Sequence, residues 1–283
     1  MSVNRMTRFV MAALAVLCLS STETQALELD GEPVQGGLIF GSSAPGSRVF
    51  LDGNEIMVSP EGRFVLGFDR DESGERSLVV RDGAGNEESV ILAVAPREFA
   101  IERVDGLPPR TVTPDPEALE RIQAEAALVS AARARRDART DYARGFAWPA
   151  SGRISGVYGS QRILNGEPRR PHYGLDIAAP TGSPVYAPAD GVVTLVHADM
   201  YFSGGTIVLD HGQGLSSTFL HLSRTLVEAG ETVRSGDLIA EIGATGRASG
   251  PHLDWRMNWL DRRVDPQTLV SGSPEPVAAS SDP

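Results

Sequence analysis

From residue 38 to residue 94 apolar and polar positions alternate in short runs, each closed by a turn signal, and this period of two predicts strands. Arg48-Val49-Phe50-Leu51 meets Asp52-Gly53, a two-residue hairpin turn, and Glu55-Ile56-Met57-Val58 follows. Pro60-Glu61-Gly62 then turns the chain into Arg63-Phe64-Val65-Leu66-Gly67-Phe68. Ser77 to Arg81 turns at Asp82-Gly83 into Glu87 to Val94. Strands this short, with turns this regular, predict a small β-sandwich of immunoglobulin-like kind over residues 27–106. It holds no catalytic constellation, so a spacer or docking role is expected of it.

The period then changes. Leu107-Pro108-Pro109 and Thr113-Pro114 mark a linker, and Asp115-Pro116 supplies a helix cap followed by proline at the first helical position. Leu119, Ile122, Ala126 and Val129 recur at steps of three and four, and a helix is expected to run to about Arg144. Asp115, Glu117 and Glu120 sit at its start, and Arg133, Arg135, Arg136, Arg139 and Arg144 at its end, in accord with the helix dipole. The stripe fades after Val129, which fits a helix packed on its own protein better than a coiled-coil arm.

Trp148-Pro149 opens a second β-rich region, residues 148–270. Two strands broken by a turn are expected between Val185 and Val196, and the strand Thr206 to Leu209 is bracketed by Gly204-Gly205 and Asp210-His211-Gly212. Residues 271–283 are rich in Ser, Pro and Ala and are expected to be a disordered tail. Residues 1–26 read as a secretory signal peptide: Arg5 and Arg8, an apolar core from Phe9 to Leu19, and Thr24-Gln25-Ala26 as the cleavage site. The core is too short to span a bilayer, so no membrane span is expected after cleavage. Residues 107–147 remain as linker and helix, and the whole chain reads as mainly β.

The single cysteine, Cys18, lies inside the leader, so the mature chain has no disulfide, no thiolate nucleophile and no cysteine-zinc site. An exported chain without cysteine fits the bacterial periplasm or exterior. The formal charge of −11 argues against a nucleic-acid footprint. Lysine is absent, which excludes Schiff-base chemistry and any lysine-linked cofactor arm. That last point matters for Ala187-Pro188-Ala189-Asp190-Gly191 and Gly230 to Asp237, which resemble turns of lipoyl and biotinyl carrier domains. Without a modifiable lysine the likeness is one of β-fold only.

The candidate chemistry lies in His172-Tyr173-Gly174-Leu175-Asp176, with His252-Leu253-Asp254 as a second cluster and His221 between the two. Pro171, Gly174 and Pro180 exclude a helix for the first pair, which reads as a loop entering a strand. Taken alone, the pair is a weak signal that reads as a solvated histidine and a capping aspartate. On a strand, His252 and Asp254 share one side while Leu253 and Trp255 pack on the other. His197 reads as a surface residue and His211 as a structural hydrogen-bonding one in its turn.

Residues from about Trp148 to Leu269 resemble the catalytic domain of the M23 family of zinc metallopeptidases, also called LytM or lysostaphin-type. The runs that carry the resemblance are His172-Tyr173-Gly174-Leu175-Asp176, Phe219-Leu220-His221-Leu222-Ser223 and Gly250-Pro251-His252-Leu253-Asp254-Trp255. The resemblance implies a two-layer antiparallel β domain, and hydrolysis of peptide bonds in peptidoglycan. It implies His172 and Asp176 as zinc ligands, and His221 and His252 as catalytic residues that bind no metal. The third ligand position, a histidine in the family, is Asp254 here. Three protein ligands with an open fourth position suit a catalytic zinc, and a second carboxylate widens the choice towards manganese or iron. The expected function is that of an exported zinc endopeptidase acting on stem peptides or cross-links of peptidoglycan. The alternative is a degenerate domain that binds the wall or activates a partner amidase, reaching a cell-wall protein through the helix or the N-terminal module. Asp254 and the helical arm support that second reading.

Overall fold

The hairpin expected at Asp52-Gly53 forms because both residues take left-handed backbone, with φ of 50° and 78°. It joins two of the seven strands of the N-terminal module in the computed structural model, which describes residues 26–104, 116–164 and 166–274. The expected leader up to residue 25, the linker prolines with Asp115, and the tail beyond residue 274 lie outside the described residues. The strands are β1 (Glu28–Asp30), β2 (Leu38–Ser42), β3 (Arg48–Leu51), β4 (Asn54–Ile56), β5 (Arg63–Gly67), β6 (Gly74–Arg81) and β7 (Glu87–Val94). They form two antiparallel sheets, β1-β2-β5 and β4-β3-β6-β7.

Strands β3 and β6 alternate as their sequence does, with Val49, Leu51, Leu78 and Val80 buried. Strand β5 does not alternate: Phe64 to Gly67 are all buried, because its second face lies against the C-terminal half of the chain. A Cβ on Gly67 would stand 2.8 Å from Trp259 Cβ and 2.9 Å from Val264 Cγ1. Polar contacts surround this apolar seam. Arg97 Nη2 meets the buried Asp265 carboxylate at 2.9 Å, Arg262 Nε donates to Glu72 at 2.9 Å, and Arg70 Nε donates to the Gly159 carbonyl at 2.9 Å. Trapped between elements and bonded, these arginines contribute more than exposed pairs would.

Strand β8 (Ile101–Val104) leads away from the module, and helix α1 (Pro116–Ala132) follows. The helix stops at Ala132, well short of the expected Arg144. Beyond it the backbone finds partners outside the helix: Gln213 N donates to Asp137 O at 2.9 Å and Asp141 N donates to His211 O at 3.1 Å. Arg135 and Arg139 are drawn to Asp137 in the same stretch, which therefore lies along the 210–215 turn. The buried face also differs from the expected stripe. Ala118 and Ala132 are buried and Ile122 and Val129 half-buried, whereas Leu119 and Ala126 face solvent. Glu125 accepts from Tyr201 N at 2.8 Å, so part of the helix is anchored by polar bonds.

The remaining strands are β9 (Arg153–Gly156), β10 (Gln161–Leu164), β11 (Glu167–Pro168), β12 (Leu175–Ala178), β13 (Pro184–Tyr186), β14 (Gly191–Met200), β15 (Gly204–Asp210), β16 (Leu215–Thr225), β17 (Thr232–Val233), β18 (Leu238–Ile242), β19 (His252–Trp259) and β20 (Arg262–Val264). One ten-stranded sheet runs β17-β14-β15-β16-β19-β12-β9, with β20 beside β19. After Leu222 strand β16 pairs with β18, which carries β13, so the sheet forks there into the two layers expected. Strand β10 sits apart, between β11 and β8. Leu175, Ile177, Phe219, Leu253, Trp255 and Met257 fill the core beneath β12, β16 and β19. None of the described helices is long and apolar enough to cross a membrane.

Because Trp259 is only 2% exposed and spans the seam, truncating it removes packing from both halves. Trp259→Ala is expected to cost about 3–5 kcal/mol. Denaturant unfolding followed by circular dichroism checks this. A single transition is expected in both proteins, and two separate transitions in the parent would contradict the shared core.

Candidate metal centre

Strands β12 and β19 pair antiparallel with Asp176 directly opposite Asp254. Residues opposite each other across a ladder point to the same face, so the two carboxylates converge. His172 lies just before β12, in the loop the prolines require. Its backbone is clamped to the neighbouring turn by His172 N to Ser160 O and Gly159 N to His172 O, both 2.8 Å. Its Nδ1 faces the Val157 carbonyl at 3.3 Å, which favours the proton on Nδ1 and leaves Nε2 aimed at the carboxylates.

His172 Nε2 stands 3.1 Å from Asp176 Oδ1 and 3.6 Å from Asp254 Oδ2. Ligand bonds of roughly 2.0–2.2 Å at tetrahedral angles separate donor atoms by about 3.3–3.6 Å. One ligand atom from each of the three residues lies within 4.8 Å of the others. Asp176 Oδ1 is buried, and beyond its 3.1 Å contact with His172 Nε2 it has no hydrogen-bond donor, so it is an oxygen that a cation would satisfy. By spacing and donor type the three residues fit one divalent metal ion.

Two glycines make the approach possible. A Cβ on Gly174 would stand 2.0 Å from Asp254 Oδ1, and one on Gly156 would stand 2.3 Å from Asp176 Oδ2. Backbone without a side chain lets the short aspartates come close.

His221 and His252 flank this group, their rings 4.8 Å apart. Each binds a carbonyl through Nδ1, His221 that of Thr245 at 2.9 Å and His252 that of Gly250 at 2.8 Å. His252 Nε2 lies 3.9 Å from Asp176 Oδ1. His221 holds a left-handed φ of 64°, a costly conformation for a histidine, where β16 bends out of its ladder. Burial lowers the His221 pKa, so the ring is neutral at neutral pH. His211 is fully buried between Asp190 O and Ser217 Oγ, as a structural histidine would be, and burial pulls its pKa down to about 4. His197, expected at the surface, is half-buried.

Sequence reasoning missed Arg256. It stands two residues beyond Asp254 on the same strand face and donates to both its oxygens, Nε at 3.0 Å to each and Nη2 at 2.5 Å to Oδ2. The two-residue step was the signal that could have revealed it. Burial alone would raise the Asp254 pKa, but Arg256 and His172 hold it well below the usual carboxylate range. Burial likewise disfavours charge on His172, yet its bonds to Asp176 and Asp254 outweigh this and push its pKa up to about 10.

Comparisons with known proteins bear on this geometry. Residues 170–266 match the family model for peptidase family M23. An uncharacterised metalloprotease of Haemophilus influenzae is 42% identical over 100 residues, which cover 35% of this chain and 21% of that protein. Peptidoglycan DD-endopeptidase ShyB of Vibrio cholerae is 42% identical over 95 residues, covering 34% of this chain and 22% of its own. The match thus spans about a fifth of the length of either relative. A crystal structure from Pseudomonas aeruginosa assigned to peptidase M23 aligns with a TM-score of 0.66 at 33% identity, over 84% of this chain and 94% of that one. Fold and site therefore define a member of peptidase family M23, and the chain belongs to that family.

The Gly174→Ala variant is expected to fold but to displace Asp254, lowering zinc affinity by about tenfold or more. Titration against a competing chelator measures it, and an unchanged affinity would show that Asp254 is not needed for the metal.

Proposed function

We propose that this chain is an exported zinc-dependent endopeptidase that hydrolyses peptide bonds in the stem peptides or cross-links of peptidoglycan. The observation that carries the reading is the convergence of His172, Asp176 and Asp254 on one point beside two further histidines. The similarity to ShyB, a peptidoglycan DD-endopeptidase, supports the substrate class, and the leader read at residues 1–26 supports export to the periplasm or beyond. His172 Nε2, Asp176 Oδ1 and an Asp254 oxygen would hold the metal. When bound, zinc supplies a Lewis acid for the scissile carbonyl and lowers the pKa of the attacking water. His221 and His252 direct Nε2 into the cleft, held there by their Nδ1 bonds. Neutral His221 can accept the water's proton, and a protonated imidazole then stabilises the oxyanion and returns the proton to the leaving amine. Arg256 keeps Asp254 ionised and oriented in this scheme. The N-terminal module acts as a docked spacer.

A second reading draws on the same arginine. Its two-pronged hold on Asp254 competes with a cation for those oxygens, as expected of a non-hydrolytic domain that binds the wall or activates an amidase. Metal content and turnover separate the two. The purified protein is expected to carry about one zinc per chain and to release muropeptides from isolated sacculi, as read by mass spectrometry. Asp176→Ala should release none, and Asp254→Ala should lose the metal. A metal-free protein that leaves sacculi intact supports the second reading.

Proton competition adds a further test. Below about pH 10 the metal-free His172 carries a proton on the nitrogen the metal needs, so binding displaces it. Apparent zinc affinity is expected to rise about tenfold per pH unit between roughly pH 6 and 8. Calorimetry in buffers of different ionisation enthalpy counts the protons released, and a pH-independent affinity would contradict His172 as a ligand.

A further inference from the structure

The site's face of the sheet continues past the metal ligands. Along β19, Asp254, Arg256 and Asn258 follow at two-residue steps and point the same way. Strand β16 sets Thr218 opposite Arg256 and Ser216 opposite Asn258, and β20 sets Arg263 opposite Asn258 from the other side. At the end of α1, Arg133 reaches this surface and donates from Nη2 to Thr218 Oγ1 at 2.8 Å. The Arg263 guanidinium lies 4.8 Å over the ring of Tyr173, the neighbour of His172, and Arg170 lies 5.8 Å from the same ring.

Among the described residues these cations have little counter-charge, the Asp69 carboxylate near Arg263 being the exception. Asp254 is taken by Arg256, and among the described residues Arg133, Arg170 and Arg263 form no ion pair. Arg133 Nε, Ser216 Oγ and Asn258 Oδ1 are buried without a hydrogen-bond partner. Burial together with the charges of Arg263 and Arg256 draws the Arg133 pKa down to about 9, and burial with Arg256 and Arg170 lowers that of Arg263. Guanidinium groups crowded in a partly buried cleft repel one another and lose solvation, a cost that a bound anion offsets. Their planar forks match a carboxylate in particular.

We propose that Arg133 and Arg263, with Arg170 at the rim, form a subsite that binds a free carboxylate of the peptide substrate beside the metal centre. The proposal rests on the hydrolytic reading above, since stem peptides carry free carboxylates close to the amides that link them. It also gives α1 a task, delivering Arg133 to the cleft from outside the matched residues 170–266.

The test uses two cross-linked stem peptides, one with free carboxylates and one with the same groups as carboxamides. The zinc-loaded protein is expected to favour the acid by about tenfold in kcat/KM, chiefly through KM. Arg133→Gln and Arg263→Gln should each raise KM for the acid about tenfold and leave the amide within about twofold. Arg263→Lys should keep part of the preference. Equal rates of the parent protein on both peptides, or equal losses on both in the variants, would overturn the subsite. If neither peptide is cleaved, the hydrolytic reading fails instead, and calorimetric binding of the two peptides to Asp176→Ala protein decides. Preference for the acid, lost in Arg133→Gln, then upholds the subsite, and indifference removes it.

Discussion

Two aspartates face each other across one rung of an antiparallel ladder, and much of the surrounding structure answers that arrangement. Like charges placed opposite on the same face of a sheet repel, more so when one of them is 2% exposed. The chain supplies partial relief through His172, whose pKa rises in response, and through the paired guanidinium of Arg256. What remains is a buried oxygen of Asp176 with no hydrogen-bond donor beyond its contact with His172, and a divalent cation there would complete the balance. The centre is thus a strained electrostatic arrangement that the fold holds in place, with hydrophobic packing beneath it providing the rigidity. Leu253 and Trp255 on the reverse of β19, and Leu175 and Ile177 on the reverse of β12, are wholly buried and hold the register.

Where the family resemblance implies a histidine, position 254 of this chain is aspartate. A shorter side chain than histidine must be approached by its partners, and Gly174 leaves the space for that. Arg256 adds a charge-assisted bond that fixes the carboxylate, at the cost of competing for it. A second carboxylate also reduces the net charge of a metal–ligand unit, so positive charge nearby matters more for drawing anionic groups towards the cleft. The arginines along β19, β20 and the end of α1 occupy that position.

The N-terminal module and the helix are part of the same body. Strand β5 gives one face to its own module and the other to Trp259 and Val264, on the strands that continue from the site. The helix is tied to the loop at Tyr201 through Glu125, and Arg133 at its end is tied to Thr218 on the sheet face that carries the site.

Much of this was legible in the chain alone. Alternation and turn residues located the strands, since a period of two and a glycine with positive φ are local properties. The prolines around His172 excluded a helix, and the two-residue step put His252 and Asp254 on one side. The helix end was not legible, because Ala132 to Arg144 has helical composition and only the bonds to the 210–215 turn draw it away. Leu119 faces solvent for a similar reason: the helix is docked through Glu125 and Ala118 rather than through its most apolar stripe. The sequence by itself determined the strand pattern, the residue types of the centre and the loops that carry them. Tertiary structure alone decided that Asp176 stands opposite Asp254, that Arg256 grips one of them, and that Arg133 arrives from a distant helix. Those depend on register and docking between segments far apart in the chain, which no local pattern encodes.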